Sequence, residues 1–174
     1  LWANGGTFQR RIFAGCGSAV TEAGTATATA SENKLHLADA AAFPTDGTKV
    51  YITGGDASVN SETGKLSLTT EKNSIDGTLT SATSVVRGAD GKLDQLAAAG
   101  GQAITASAVE NTVTLTGGKA FQVDGSRLLL SRAAGAADLH AAKNRVVLTN
   151  AASESDSNVT FRGSYIEAHD AKGS

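Results

Sequence analysis

The side chains that could do chemistry are few and scattered along the chain. The three histidines, His36, His140 and His169, share no spacing typical of a metal site, and no HExxH motif or Cys/His cluster is present. Serine nucleophiles of hydrolases often lie in a G-x-S-x-G turn, which "GCGSAV" from Gly15 to Val20 does not match. We therefore assign no catalytic, cofactor-binding or metal-ligating residue, and we expect no cofactor.

Carboxylates are the remaining candidates for catalysis, because the chain has 17 Asp and Glu residues and a fold can bring any two together. A carbohydrate-cleaving enzyme therefore stays open, although the sequence shows no aromatic platform that could stack on sugar rings. The stretches "DGT", "ADGKLD" and "VDGS" offer oxygen ligands for calcium, but their spacing differs from that of an EF-hand loop. We interpret them as ordinary Asp-Gly turns.

Composition and charge limit the classes of function that the chain can have. The 174 residues carry a net charge of −2, which attracts neither nucleic acid nor an anionic membrane surface. No apolar run reaches the ~18 residues that a membrane span needs. The chain contains no Met, so we expect a processed chain or a segment of a longer protein. The single cysteine, Cys16, excludes an internal disulfide and is expected to be a small apolar residue in a tight glycine turn.

Short segments with the pattern apolar–x–apolar recur along the chain. Each predicts a short strand with both apolar side chains on one face. The predicted strands are Phe8–Phe13, Lys34–Leu37, Lys49–Thr53, Lys65–Thr69, Ser84–Arg87, Thr112–Thr116, Arg127–Ser131, Arg145–Thr149, Val159–Arg162 and Ser164–Glu167. Between them, Thr21–Asn33 predicts a surface loop or a rung edge. Leu93–Gly101 and Arg132–Asn144 are Ala-rich but lack the apolar stripe of a helix, so they predict loops or short helical turns.

Asn and Gly residues indicate the corners of a stacked coil. An Asn just before a strand can bond to local backbone and to the Asn of the next rung, and this position is taken by Asn33, Asn111, Asn144 and Asn158. Asp-Gly and Gly-Gly pairs predict the other turns. If Leu35 and Leu66 are equivalent, the repeat is 31 residues, and the 47 residues from Leu66 to Val113 include an insertion.

Two Thr-rich stretches, "TATATA" and "TVTLT", place Thr at alternate positions, as an ice-binding array would. Such an array needs the same pair on every coil, whereas the rung of Leu35 carries Lys34 and His36 instead. We therefore interpret the threonines as ordinary outward residues of strands, and His36 as a solvated side chain.

The stretch "IFAGCGSAVTEAGTATATASENKLHL" from Ile12 to Leu37 resembles the passenger repeats of bacterial autotransporters, as do "AVENTVTLTGGKAF" and "AAKNRVVLTNA". The resemblance covers most of the chain and consists of a recurring pattern of short strands, Gly/Ala/Thr loops and Asn-x-Val-x-Leu motifs. It implies a right-handed parallel β-helix displayed on or shed from a Gram-negative outer membrane. It also implies a β-barrel translocator further along the chain.

We predict an all-β fold, a right-handed parallel β-helix with irregular coils and loop insertions, which forms a single domain over residues 1–174 as a segment of a longer passenger. An antiparallel sandwich or jelly roll is the alternative. The expected function is non-enzymatic adhesion or self-association at a bacterial cell surface or in the extracellular space.

The expected partners are a protein or glycan surface ligand, or copies of the chain itself in a homo-oligomer, with no nucleic acid and no membrane insertion by this segment. Binding is expected from the outer β-faces and from the loops Gly88–Gln102 and Ala133–Lys143. Two alternatives stay open: a filament-forming extracellular subunit that assembles end to end, and a carbohydrate-active β-helix enzyme.

Overall fold

The computed structural model is an all-β solenoid of about three turns, built from stacked parallel strands. It describes residues 2–3, 11–37, 50–78, 83–95, 102–117, 119–133, 135–149 and 160–169, and these residues include no helix. The predicted all-β, stacked parallel architecture is confirmed, and an antiparallel sandwich is excluded because every strand pair in these ranges is parallel. The handedness of the coil stays a prediction.

The strands in chain order are β1 (Trp2–Ala3), β2 (Arg11–Thr21), β3 (Thr25–Ser31), β4 (Lys34–Leu37), β5 (Val50–Ser61), β6 (Lys65–Glu71), β7 (Ser74–Thr78), β8 (Thr83–Gln95), β9 (Ile104–Val109), β10 (Thr112–Thr116), β11 (Lys119–Arg132), β12 (Ala137–Ala142), β13 (Arg145–Thr149) and β14 (Thr160–Ala168). They form three sheets. Sheet A has the order β1-β4-β7-β10-β13, sheet B has β2-β5-β8-β11-β14, and sheet C has β3-β6-β9-β12. Each coil contributes one strand to sheet B, then one to C, then one to A.

The inward side chains stack in columns along the solenoid and form two apolar clusters. Between sheets A and B, the cluster consists of β-branched and Leu side chains, such as Leu35, Ile75 and Val113, which follow one another in register. Between sheets B and C, the cluster combines Leu side chains with many alanines. Full burial of one Leu or Ile contributes about 1.5–3 kcal/mol, so these columns supply most of the stabilisation.

An Asn ladder separates the two clusters at the corner between sheets C and A. Each Nδ2 donates to the Oδ1 of the Asn in the next coil, at 2.8, 2.9 and 2.9 Å along the series Asn33, Asn73, Asn111 and Asn144. The predicted ladder is confirmed for Asn33, Asn111 and Asn144, and Asn73 is an additional member. The predicted corner at Asn158 lies outside the described residues.

The left-handed backbone at this corner belongs to the residue before each Asn. The φ angles are 57°, 52°, 59° and 55° for Glu32, Lys72, Glu110 and Lys143. This conformation turns the chain so that the Asn amide points inward. The ladder also corrects the repeat, because its members are 40, 38 and 33 residues apart. Leu35 is equivalent to Ile75, whereas Leu66 lies in sheet C beside Ala26 and Ile104.

The strand predictions succeed best in sheet A, where β4, β10 and β13 have the predicted bounds. In sheet C the predicted strand Lys65–Thr69 is confirmed as part of β6. Two other predictions for this sheet were wrong, because β3 replaces the loop or rung edge predicted at Thr21–Asn33 and β12 replaces the loop or helical turn within Arg132–Asn144. The predicted binding loops are also corrected, because Gly88–Gln95 lies in β8 and Ala137–Ala142 is β12. Strands β7 and β9 were not predicted.

The strands of sheet B are longer than predicted because they continue through glycines that were interpreted as turns. Gly54, Gly88 and Gly125 occupy one column, and the register of neighbouring strands skips them. A Cβ atom at Gly88 would lie 2.5 Å from the carbonyl oxygen of Gly125, and one at Gly54 equally close to that of Gly88. These glycines let each strand bend at the same place.

Candidate binding cleft

A cleft of ≈ 310 Å³ lies on the outer face of sheet B, at the bend made by the glycine column. We call it the sheet-B cleft. It is lined by Ile12, Phe13, Tyr51, Thr53, Asp56, Val85, Arg87, Asp90, Lys92, Gln122 and Arg127. These residues come from β2, β5, β8 and β11, so the cleft crosses four adjacent strands of the sheet.

The bend makes the outer face of sheet B concave. Val86 and Ala89 point into the core and are fully buried, so Arg87 and Asp90 lie on the outward side of β8. Outward residues of a flat sheet are usually exposed, yet Arg87 is only 8% and Asp90 only 4% exposed. Charged groups are therefore held at the floor of the cleft, where solvent screens them weakly.

Asp90 is the centre of the charge network on this floor. Arg127 donates to it through two hydrogen bonds, Nε to Oδ1 at 2.8 Å and Nη2 to Oδ2 at 2.9 Å. Arg87 Nη1 and Lys92 Nζ approach its Oδ2 at 3.7 and 3.5 Å. Burial raises the pKa of Asp90, but the hydrogen bond from Arg127 and the nearby cations outweigh it and hold this pKa below its ordinary value.

A second charge series runs along the neighbouring outward column of sheet B. The fully buried carboxylate of Asp124 accepts hydrogen bonds from Arg87 Nε at 3.3 Å and from Arg162 Nε at 2.8 Å. Gln122 Nε2 also donates to it, at 2.6 Å. The guanidinium of Arg162 lies 3.6 Å from the ring centroid of Tyr165, a cation–π arrangement. The opposite charges therefore alternate from strand to strand and hold the strands in register.

The other part of the cleft is aromatic and less buried, which corrects the expectation that the chain offers no aromatic platform. Phe13 is 47% and Tyr51 39% exposed, and they lie on the adjacent strands β2 and β5. Across the glycine column from these two aromatic side chains, the Nζ of Lys92 lies 3.1 and 3.3 Å from the two carboxylate oxygens of Asp56. The cleft therefore combines an apolar aromatic wall with fixed hydrogen-bond donors and acceptors, which is the usual composition of a ligand pocket.

The histidines singled out in the sequence lie on separate faces and do not converge. His36 points outward from sheet A, as predicted, and its Nδ1 lies 2.7 Å from Asp76 Oδ2. His140 is an outward residue of sheet C, and His169 Nε2 lies 2.6 Å from Glu167 Oε1. Within the described ranges, no group of three or more His, Cys, Asp or Glu side chains could hold a metal ion.

Two further expectations need correction. Cys16 is not in a tight glycine turn, because it lies within β2 and is exposed. The Asp-Gly pairs at Asp90 and Asp124 lie within strands, and both carboxylates form ion pairs. The cleft residues were missed in the sequence, although the charged pair Asp90 and Arg127 lies 37 residues apart, close to one coil.

The outward face of sheet C carries two columns of hydroxyl side chains. One column contains Thr27, Ser67 and Thr105, and the other contains Thr29, Thr69 and Ser107. The argument against an ice-binding array compared the threonines of "TATATA" with Lys34 and His36. That comparison was wrong, because Lys34 and His36 belong to sheet A and those threonines belong to sheet C. Both hydroxyl columns end at Asp138 and His140 in the last strand of the sheet.

The described part of the chain has no helix long and apolar enough to cross a membrane. Comparison with known proteins finds no matching family model, no matching curated protein and no matching solved structure.

Proposed function

We propose that this β-solenoid is a non-enzymatic protein of the bacterial cell surface or extracellular space that serves adhesion or self-association, as the passenger of an autotransporter does. Two features support the proposal: the stacked parallel fold and the repeat texture that resembles passenger repeats. Neither feature identifies a partner. Support for association comes from exposed apolar side chains at the end of the solenoid formed by β14.

At this end of the solenoid, apolar side chains in core positions are exposed to solvent. Phe161 continues the inward column of Ile52, Val86 and Val123, which are all 0% exposed, yet Phe161 is 49% exposed. Ile166 continues the inward column that contains Leu128, and it is 44% exposed whereas Leu128 is 0% exposed. Side chains that the fold places in core positions therefore face solvent, and another layer of β-structure would bury them.

The shape of this end favours a covering β-strand. Sheet B extends to β14, whereas sheets A and C end one coil earlier among the described residues, at β13 and β12. The free edges present backbone donors and acceptors beside exposed apolar side chains, which is a template for pairing with another strand. When a second copy supplies that strand, the contact is head to tail and repeats, so the filament-forming subunit stays the alternative form of this proposal.

The charge network gives Asp90 the role of a fixed acceptor and not that of the general acid of a carbohydrate-active enzyme. A glycosidase needs one carboxylic acid with a raised pKa to protonate the leaving group. The pKa of Asp90 is lowered instead, because Arg127 and the other cations outweigh the effect of burial. At neutral pH the Asp90 carboxylate is ionised and engaged with Arg127, so it serves as a fixed acceptor.

The test compares self-association of the chain with that of a variant carrying Phe161→Asp and Ile166→Asp. Sedimentation velocity over a concentration series should show oligomers for the unaltered chain, with filaments or short stacks in electron micrographs. Two carboxylates at these apolar positions of β14 should make the chain monomeric. Thr160→Asp is the matched control, because Thr160 is an exposed residue of the same strand. A monomeric unaltered chain at its solubility limit would refute self-association through this end.

A further inference from the structure

We propose that the sheet-B cleft is the binding site for a neutral glycan, with Phe13 and Tyr51 against the sugar rings and Asp56 and Lys92 bonding to the hydroxyl groups. This inference rests on the adhesive role proposed above and names its ligand. Glycan binding and self-association can be tested separately, because the cleft and the β14 end lie on different surfaces.

The size of the cleft selects a short ligand. Its volume is ≈ 310 Å³, at the lower end of the range of about 300–1,000 Å³ that ligand pockets usually have. A space of this size holds the terminal one or two units of an oligosaccharide. It crosses the strands of a rigid sheet, so the shape of the site is set by the fold before the ligand arrives.

The charge balance selects a neutral ligand. The lining contains two carboxylates and three cations, namely Asp56, Asp90, Arg87, Lys92 and Arg127. The buried Asp124 lies behind Arg87 at 3.3 Å and offsets part of its charge, and it shares its carboxylate with Arg162 at 2.8 Å. An anionic ligand would approach two carboxylates and a cationic ligand three positive groups, whereas a neutral polar ligand meets neither repulsion.

The hydrogen-bonding groups at the cleft surface suit hydroxyl groups. The side chains of Asp56 and Lys92 are 28% and 36% exposed, and their ion pair holds them in place. Each carboxylate oxygen has two lone pairs, and an ammonium group has three N–H donors. The salt bridge therefore leaves an acceptor and a donor side by side, and a pair of neighbouring sugar hydroxyls can bond to both.

The aromatic wall supplies the apolar contact that sugars need. A pyranose ring presents a face of C–H groups, which packs against the face of an aromatic ring. Phe13 and Tyr51 are the aromatic side chains that line the described cleft, and both expose more than a third of their surface. Covering them with a sugar removes apolar surface from water, which favours binding.

The experiment uses the whole chain and an immobilised panel of neutral hexose and N-acetylhexosamine oligosaccharides, with sialylated and sulfated counterparts. We expect binding to neutral members, and titration calorimetry with the best of them should then give its dissociation constant. Tyr51→Ala and Asp56→Asn should each weaken that binding at least about tenfold. Val20→Ala is the control, because Val20 lies on β2, is 79% exposed and does not line the cleft.

Three results would overturn the inference: no binding to any member of the panel, a preference for the acidic members, or unchanged affinity in both cleft variants. Circular dichroism and the thermal midpoint show whether each variant is folded, so loss of binding is scored only for folded protein. The same variants are tested for self-association. Absent glycan binding with intact oligomers rejects this inference alone, and intact glycan binding without oligomers rejects only the self-association proposal.

Discussion

Asn73 and Asn111 occupy the same corner of consecutive coils, and the Nδ2 of Asn73 donates a 2.9 Å hydrogen bond to the Oδ1 of Asn111. The backbone N–H of Asn73 donates to the same oxygen at 3.1 Å. Both residues are fully buried, so water cannot replace these bonds. The corner of each coil is therefore coupled to the next by polar bonds in an apolar surrounding, where they are strong when complete and costly when broken.

Replacing Asn111 with Ala should lower the free energy of unfolding by about 2–4 kcal/mol, because it leaves buried donors of Asn73 unsatisfied. Urea denaturation followed by circular dichroism measures the change. Asn60→Ala is the matched control: the Oδ1 of Asn60 is buried without a hydrogen-bond partner. That substitution should change the stability by less than about 0.5 kcal/mol. Equal losses in the two variants would contradict the ladder as a stabilising device.

Three consecutive leucines of β11 test the inward and outward alternation of sheet B. Leu128 and Leu130 point inward and are 0% and 2% exposed, whereas Leu129 points outward and is partly exposed. Leu128→Ala and Leu130→Ala should each cost about 2–5 kcal/mol through loss of burial and creation of a cavity. Leu129→Ala should cost less than about 1 kcal/mol. If Leu129→Ala were the most damaging of the three, the register of this strand would be wrong.

The glycine column of sheet B makes a steric prediction. Gly88→Ala places a Cβ atom 2.5 Å from the carbonyl oxygen of Gly125, so β8 or β11 must shift. We expect a loss of at least about 1–3 kcal/mol in chemical denaturation, or failure to fold. Gly24→Ala meets open space, and its cost of about 1 kcal/mol comes only from its positive φ of 92°. A Gly88 variant as stable as the Gly24 variant would contradict the close approach of the strands.

The charge network predicts a loss of stability in acid. The folded-state pKa of Asp90 is below its ordinary value of 3.8, so its contribution is complete above that value and disappears as the pH falls through the lower folded-state pKa. Asp90→Asn should destabilise the protein at neutral pH by about 3 kcal/mol, because it leaves the Arg127 guanidinium without its carboxylate. As the pH falls below 3.8, the difference between the variant and the unaltered chain should shrink.

Asp94→Asn provides the comparison for this experiment. Asp94 pairs with Arg132, but the two side chains are 27% and 49% exposed. An ion pair as accessible to water as this one contributes less than about 1 kcal/mol. Chemical denaturation of both variants between neutral and acidic pH separates the two cases. A pH-independent difference between Asp90→Asn and the unaltered chain would show that the carboxylate charge is not the cause.

Local sequence patterns predict the stacked all-β architecture and much of sheet A. Val113 and Leu115 of β10 alternate with threonines after Asn111, and Val146 and Leu148 of β13 follow Asn144 in the same way. Large β-branched and Leu side chains at alternate positions favour a strand in any context. The Asn before each strand favours a corner because its amide bonds to backbone that turns there. Both signals depend only on residues close together in the chain, so they can be recognised from the sequence without knowledge of the fold.

Long-range contacts specify most of sheet C, the bend and the cleft. The inward residues of β3 are Ala26, Ala28 and Ala30, whose low β-propensity gives no strand signal. They form a strand because β3 pairs in register with β6, which places Ala26 and Ala28 beside the buried Leu66 and Leu68. Local chemistry likewise predicts a turn at Asp90-Gly91, whereas Arg127 and Lys92 hold Asp90 within β8. The cleft depends on contacts between residues about one coil apart, and only the register of the stacked coils specifies such contacts.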